Sequence, residues 1–195
     1  MKARLGAFAY DDQRARGGGH DPVIVARVLA AGLGALPTGL LLAQGDAGAV
    51  PYEEVTAEAL GVGTGAVKAF AADLAKAPVH RGSVLVTDGV ETFADDGCGR
   101  LVGSAGGTGV VNYATGETSV GFAANVANGV SVTAAYARKF CGVLDESADT
   151  AVAGSGLVII HGSVRADVLK IGLAAPVAPS AATLARMQDA GVYPA

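Results

Sequence analysis

Asp88, Glu91, Asp95 and Asp96 form the densest carboxylate group in the chain, and oxygen ligands in such numbers could hold a calcium ion. Their spacing does not follow an EF-hand loop, and a solvated acidic hairpin tip is the plainer reading. His20, His80 and His161 are the imidazoles available for acid–base or metal chemistry, and no two share a ligand spacing. His161 ends the run "GLVIIH" and reads as a strand-end histidine bonded to a backbone carbonyl. His80, after Pro78 and beside Arg81, reads as a solvated loop residue. A catalytic role for either would need a nucleophile or carboxylate partner that the sequence does not single out. "GVGTG" (Gly61 to Gly65) and "GSAGGTG" (Gly103 to Gly109) lack the Lys-Ser/Thr of a phosphate loop and the helix of a dinucleotide fingerprint, so they read as turn glycines. Ser155 and Ser163 have glycine neighbours but no G-x-S-x-G elbow. Cys98 and Cys141 are too few for a disulfide scaffold or a four-cysteine zinc site. They read as reduced packing residues, with a bridge between them as the alternative. The expectation is no catalytic set, no cofactor and no metal: not an enzyme.

The elements that would position these residues are short strands. Of 195 residues, 51% are hydrophobic, 16% are charged and 29 are glycine, about twice the usual ~7% glycine share and without a collagen period. With abundant Val, Ala and Thr, this composition implies many strands and tight turns. Trp is absent, so an aromatic-lined groove has few building materials. The net charge of −4 disfavours nonspecific binding to nucleic acid or an anionic membrane. Pro22 to Ala43, the most apolar stretch, is broken by Arg27, glycines and Pro37 and does not read as a membrane span. Leu5 to Ala9 is too short for a signal-peptide core, so the protein is expected to be soluble and not secreted.

Residues 1–20 read as a flexible N-terminal arm, with Leu5, Phe8 and Tyr10 as isolated apolar points among Lys2, Arg4, Arg14 and Arg16. Residues 21–52 carry an apolar cluster around Val23 to Leu29, a turn and buried strand in "ALPTGLLLAQ", and a short edge strand ending near Tyr52. The texture then changes. Residues 53–137 carry nine acidic and four basic residues, a net −5, against +1 for the rest. Candidate strands here are Ala66 to Ala71, Ser83 to Thr87, Val110 to Tyr113, Thr118 to Phe122 and Val130 to Tyr136. Turn signals such as Asp96-Gly97 and Thr115-Gly116 separate them, as in a small sandwich or barrel. Residues 138–195 return to the first texture, with a wide loop, an apolar strand at Leu157 to Ile160, and a helix over Ala181 to Asp189. Ser180 caps that helix, Leu184 and Met187 lie on one face, and Gly191 stops it. The reading is a mainly β protein: one β-rich core, residues 21–52 and 138–195, interrupted by an inserted all-β domain, residues 53–137.

Three separated stretches carry a resemblance. "ALPTGLLLAQGDAGAVPYEE", "CGVLDESADTAVAGSGLVIIHGSVRADVLKI" and "LARMQDAGVYPA" together resemble the lambda-type head decoration proteins of tailed bacteriophages. The insert, with "APVHRGSVLVT", "DDGCGRLVG" and "GVVNYATGETSVGFA", is similar to a β-module recurring in phage virion proteins. Decoration proteins are commonly near the size of the core alone, so the chain reads as a composite.

The resemblance implies a decoration or cement protein of the virion's outer capsid surface, present in the host cytoplasm during assembly. It would dock on the major capsid protein of the expanded shell as a homotrimer and clamp capsomers against internal DNA pressure, with no direct nucleic-acid or membrane contact. It implies docking by an N-terminal arm that adds a strand to capsid elements; here that places Arg4, Leu5, Phe8, Tyr10, Arg14 and Arg16 at the contact. An alternative is a fibre or adhesin whose insert binds a host receptor or glycan. A wall-degrading enzyme would need a carboxylate pair of defined context, which the sequence lacks.

Overall fold

The structure is a computed structural model that describes residues 14–195. The chain runs through β1 (Val23–Val28), β2 (Ala35–Leu36), β3 (Leu41–Gly45), β4 (Gly48–Pro51), β5 (Glu54–Val62), β6 (Ala69–Asp73), β7 (Leu85–Thr87) and β8 (Thr92–Asp95). It continues through β9 (Arg100–Gly103), β10 (Thr108–Val111), β11 (Glu117–Gly121), β12 (Ser131–Ala137), β13 (Phe140–Leu144), β14 (Ala148–Asp149) and β15 (Ser155–Val164). The helix α1 (Ala181–Asp189) and a last strand, β16 (Val192–Pro194), complete it. The protein is mainly β, with one short C-terminal helix.

One sheet has the order β1-β15-β13-β3-β4, and β16 adds to β15 in parallel. Between β13 and the edge strand β4 runs β3, where Leu41, Leu42 and Ala43 are all buried, a continuous apolar run with both faces covered. The two-residue alternation of a strand divides them. Leu41 and Ala43 face Tyr52, Phe140, Ile159, Met187 and Val192, whereas Leu42 faces Leu29, Leu36, Leu144 and Val158. The helix covers the first face. Ser180 Oγ accepts the Thr183 amide at 3.2 Å, and Met187 is fully buried, worth roughly 1.5–3 kcal/mol.

The second sheet has eight strands in the order β5-β12-β7-β8-β9-β10-β11-β6, all antiparallel to their neighbours, and holds every named strand from Glu54 to Ala137. It curls around one core in which Phe93 and Phe70 each meet Phe122 edge to face, at 4.9 and 5.8 Å between centroids. The curl brings the ends together: a Cβ on Gly61 of β5 would lie 2.8 Å from the Phe70 ring of β6.

Several elements differ from the sequence expectation. β5, nine residues long, pairs along β12, yet "EVTAEALGV" has little apolar signal because one side stays exposed. β8 and β9 are hairpin strands around the expected Asp96-Gly97 turn. β13 occupies what reads as loop sequence after Arg138. Residues 14–20 do not form a free arm: Ala15 N–H donates to Asp145 O at 2.8 Å, Gly17 N–H to Ser163 O at 2.9 Å, and Arg165 N–H to Ala15 O at 2.9 Å. Ala15 is small enough to be fully buried there, and Gly17 lies so flat on β15 that a Cβ would sit 3.1 Å from the Val164 backbone.

The chain crosses between the sheets twice, side by side. Glu54 pairs with Ala137, and the Arg138 amide donates to Glu53 O at 3.1 Å. Directly paired residues have Cβ atoms ~5 Å apart, so the two cut ends of an excised insert already touch. Excision of residues 55–136, closed by a two- to four-residue Gly-Ser turn, is expected to leave a cooperatively folding protein by circular dichroism and urea titration. A cut that also removes Tyr52, which is fully buried, is expected to cost a further ~3–5 kcal/mol.

Candidate functional site

The N-terminal root is fixed by charge as well as by strand pairing. Arg16 Nη2 and Nε donate to the two oxygens of Asp145, at 2.5 and 3.3 Å. Asp145 is fully buried, while Arg16 keeps a third of its side chain in solvent. A guanidinium fork matches a carboxylate in this bidentate way, and a carboxylate so buried needs its partner. Further along, His20 N–H donates to Ser163 Oγ at 3.1 Å, and the His20 ring meets His161 edge on at 4.9 Å. Tyr193 of β16 packs on both rings at 6.2 Å. The N-terminal segment, the end of β15 and the C-terminal strand thus meet in one place. Arg16, expected at a capsid contact, has its partner within the chain. Arg14 lies at the root, and Arg4, Leu5, Phe8 and Tyr10 lie outside the described residues.

The four acids of the insert's carboxylate group are drawn apart into their own loops. Asp88 accepts the amides of Val90 and Glu91. Asp96 accepts those of Cys98 and Arg100. Asp95 accepts the Gly82 and Gly97 amides and the Tyr113 hydroxyl. Glu91 is not at a solvated tip but almost fully buried: its carboxylate accepts the Ala105, Gly107 and Ala123 amides at 3.2, 2.7 and 2.8 Å. The "GSAGGTG" turn therefore does cradle an anion, and that anion is Glu91 itself. Among the described residues no group of three or more His, Cys, Asp or Glu could hold a metal ion.

His161 lies within β15, which runs on to Val164, and its ring contacts are aromatic rather than with a backbone carbonyl. His80 is half-buried, not a solvated loop residue; burial lowers its pKa, and the nearby Arg186 charge lowers it further. Cys98 is exposed rather than packed and Cys141 is half-buried. The two are free, and burial pushes the Cys141 thiol up to about 11.

His80 belongs to a cleft that the sequence did not reveal, at the seam between the two sheets. Its volume is about 370 Å³, and Pro78, Val79, His80, Tyr113, Lys139 and Phe140 are among its walls. Main-chain bonds fix these walls: His80 N–H to Ala137 O, Lys139 N–H to Pro78 O, and Val79 N–H to Tyr113 O, each at 2.8 Å. The Arg81 guanidinium lies 5.8 Å from the Tyr113 ring centre. Burial, and then the hydrogen bond to Asp95, raise the Tyr113 hydroxyl to about 12, so it remains a donor at neutral pH. These walls come from segments far apart in sequence, and no motif links them.

No family model, curated protein or solved structure matches this chain.

The Arg16–Asp145 pair generates a prediction. Arg16→Ala leaves a buried carboxylate without its cation and is expected to lower unfolding stability by on the order of 3 kcal/mol in urea titration. Replacing both, Arg16→Met with Asp145→Leu, is expected to recover most of that loss.

Proposed function

We propose that this protein is a structural virion protein that binds the outside of the expanded phage capsid and stabilises it. The observation that carries this reading is the N-terminal root. Residues 14–20 are stitched to the end of β15 beside the C-terminal strand, so the first thirteen residues join the body at a fixed point. Those residues include Leu5, Phe8 and Tyr10 together with Lys2 and Arg4. A segment with a rigid root and an apolar, basic composition suits addition of a strand to a capsid-protein element. Main-chain bonds would supply the hold, and the alternate side chains the selection.

In this mechanism each docked apolar side chain contributes roughly 1.5–3 kcal/mol when fully covered. Lys2 and Arg4 steer encounter and lose influence as salt rises. Arg16 anchors the root and leaves capsid contact to the residues before it. The body acts as a rigid clamp across capsomers, three copies together burying at least ~1,000 Å² per stable contact. The resemblance in the core strands supports the same reading.

The test is a sedimentation assay on expanded, undecorated capsids. Removal of residues 1–13 is expected to leave the melting temperature nearly unchanged and to weaken capsid binding at least tenfold, which requires loss of only ~1.4 kcal/mol of contact. Equal binding by both forms sinks the arm mechanism. Binding to host cells but not to capsids favours the adhesin alternative.

A further inference from the structure

A second hollow adjoins the seam cleft. Its volume is about 510 Å³, it is shallower, and Arg81, Gly97, Cys98, Gly99, Asn112 and Tyr113 are on its walls. Arg81 and Tyr113 line both hollows, so the cation–ring pair stands as a shared partition between two adjacent depressions. Two depressions sharing one wall suit a ligand of at least two similar units in a row, not a single compact molecule.

The chemistry of the walls narrows the class. Pro78, Val79 and Phe140 give the first hollow an apolar share of its lining, Val79 and Phe140 being almost fully buried. Beside them stand Gln44, His80, Arg81 and Lys139, whose side-chain tips make no hydrogen bond or ion pair with another described residue. His80, neutral at pH 7 because burial lowers its pKa, offers one donor and one acceptor. An apolar share of lining with unpaired donors and acceptors beside it fits a ring that has an apolar face and a hydroxylated edge. The lining of the first hollow holds two cations, Arg81 and Lys139, and one acid, Asp189, while Asp95 is tied up by the Tyr113 hydroxyl and the Gly82 and Gly97 amides. The local balance favours a ligand with sparse negative charge. A polyphosphate fits poorly, since the insert around the cleft carries a net −5 that repels a densely charged strand.

We propose that the seam between the two sheets is a binding site for an oligosaccharide bearing uronic acid residues, one ring lying over Pro78 and Phe140 and the next beyond the Arg81–Tyr113 partition. Lys139 and Arg81 hold the carboxylates, and Gln44 and His80 hold ring hydroxyls. The site shares no residue with the N-terminal root, so it operates alongside capsid docking and not through it.

The experiment titrates the full-length, nitrogen-15-labelled protein with a hyaluronan tetrasaccharide, in which uronate and neutral rings alternate. Maltotetraose and tetrathymidylate are the neutral and polyphosphate comparators. The expected result is saturable shifts of the Gln44, His80, Arg81, Asn112, Tyr113 and Lys139 amides with hyaluronan, and at least fivefold weaker binding of both comparators. Lys139→Ala and Arg81→Ala, both at exposed positions, are each expected to weaken hyaluronan binding at least threefold while capsid sedimentation stays unchanged. Shifts that are absent or fall elsewhere, comparators that bind as well, or variants that bind hyaluronan normally overturn the proposal. Capsid binding in the same variants is read separately, so failure here leaves the docking mechanism standing.

Discussion

Everything in this molecule hangs on the paired crossing of the chain from one sheet to the other. Two strands pass the seam together, tied by the Arg138 amide on Glu53 O and by the pairing of Glu54 with Ala137. Polar side chains reinforce it from the helix. The Glu54 carboxylate accepts Arg186 at 2.5 Å and the Thr183 hydroxyl at 2.7 Å, while the Tyr52 hydroxyl bridges toward both Glu54 and Arg186. Beneath them the Tyr52 ring packs edge on against Phe140. The crossing also carries a cost: Arg138 Nε is buried with no hydrogen-bond partner among the described residues, a defect worth about 1–3 kcal/mol where it occurs. The Glu53 ion pair to Lys76 is half-exposed and the one to Arg138 spans 4.0 Å, so the two offset little of that.

The crossing brings surfaces of both sheets side by side. The seam cleft exists only where the loop around His80, the turn around Tyr113 and the strand start at Phe140 are held against one another by main-chain bonds. The side-chain tips of its Gln44, His80, Arg81 and Lys139 make no hydrogen bond or ion pair with another described residue. The insert's carboxylates are the opposite case: Asp88, Asp95, Asp96 and Glu91 are consumed by backbone amides of nearby loops. Buried or partly buried carboxylates need hydrogen bonds, and adjacent turn amides supply them with the least rearrangement of the chain. That is why the densest acidic group in the sequence serves the fold, while the more scattered polar residues remain available.

The N-terminal root obeys the same logic. A chain with three consecutive glycines has high conformational entropy, and its ordering needs compensation. Compensation comes from the fully buried Ala15, the ladder onto β15 and the Arg16–Asp145 fork. The placement of residues 14–20 is therefore set by these contacts and not by composition.

Elements whose signals are local were legible in the order of the residues. The helix, with Ser180 at its cap and Met187 on its buried face, follows from capping chemistry and period. The β10–β11 hairpin follows from its strand-forming residues and from Gly116, whose φ of 82° a Cβ would strain. The buried run Leu40 to Ala43 announces a buried strand by apolarity alone. Other features exist only once the chain has folded. β5 is a strand because β12 lies beside it, not because "EVTAEALGV" prefers to be one. Arg16 reads as a free basic residue until a buried Asp145, distant in sequence, is found opposite it. Glu91 reads as a surface acid until the glycine turn closes over it. The cleft joins Gln44, His80, Tyr113 and Lys139 from four separate segments. Local propensity acts over a few residues, whereas these contacts arise only after non-local strand pairing has brought distant segments together.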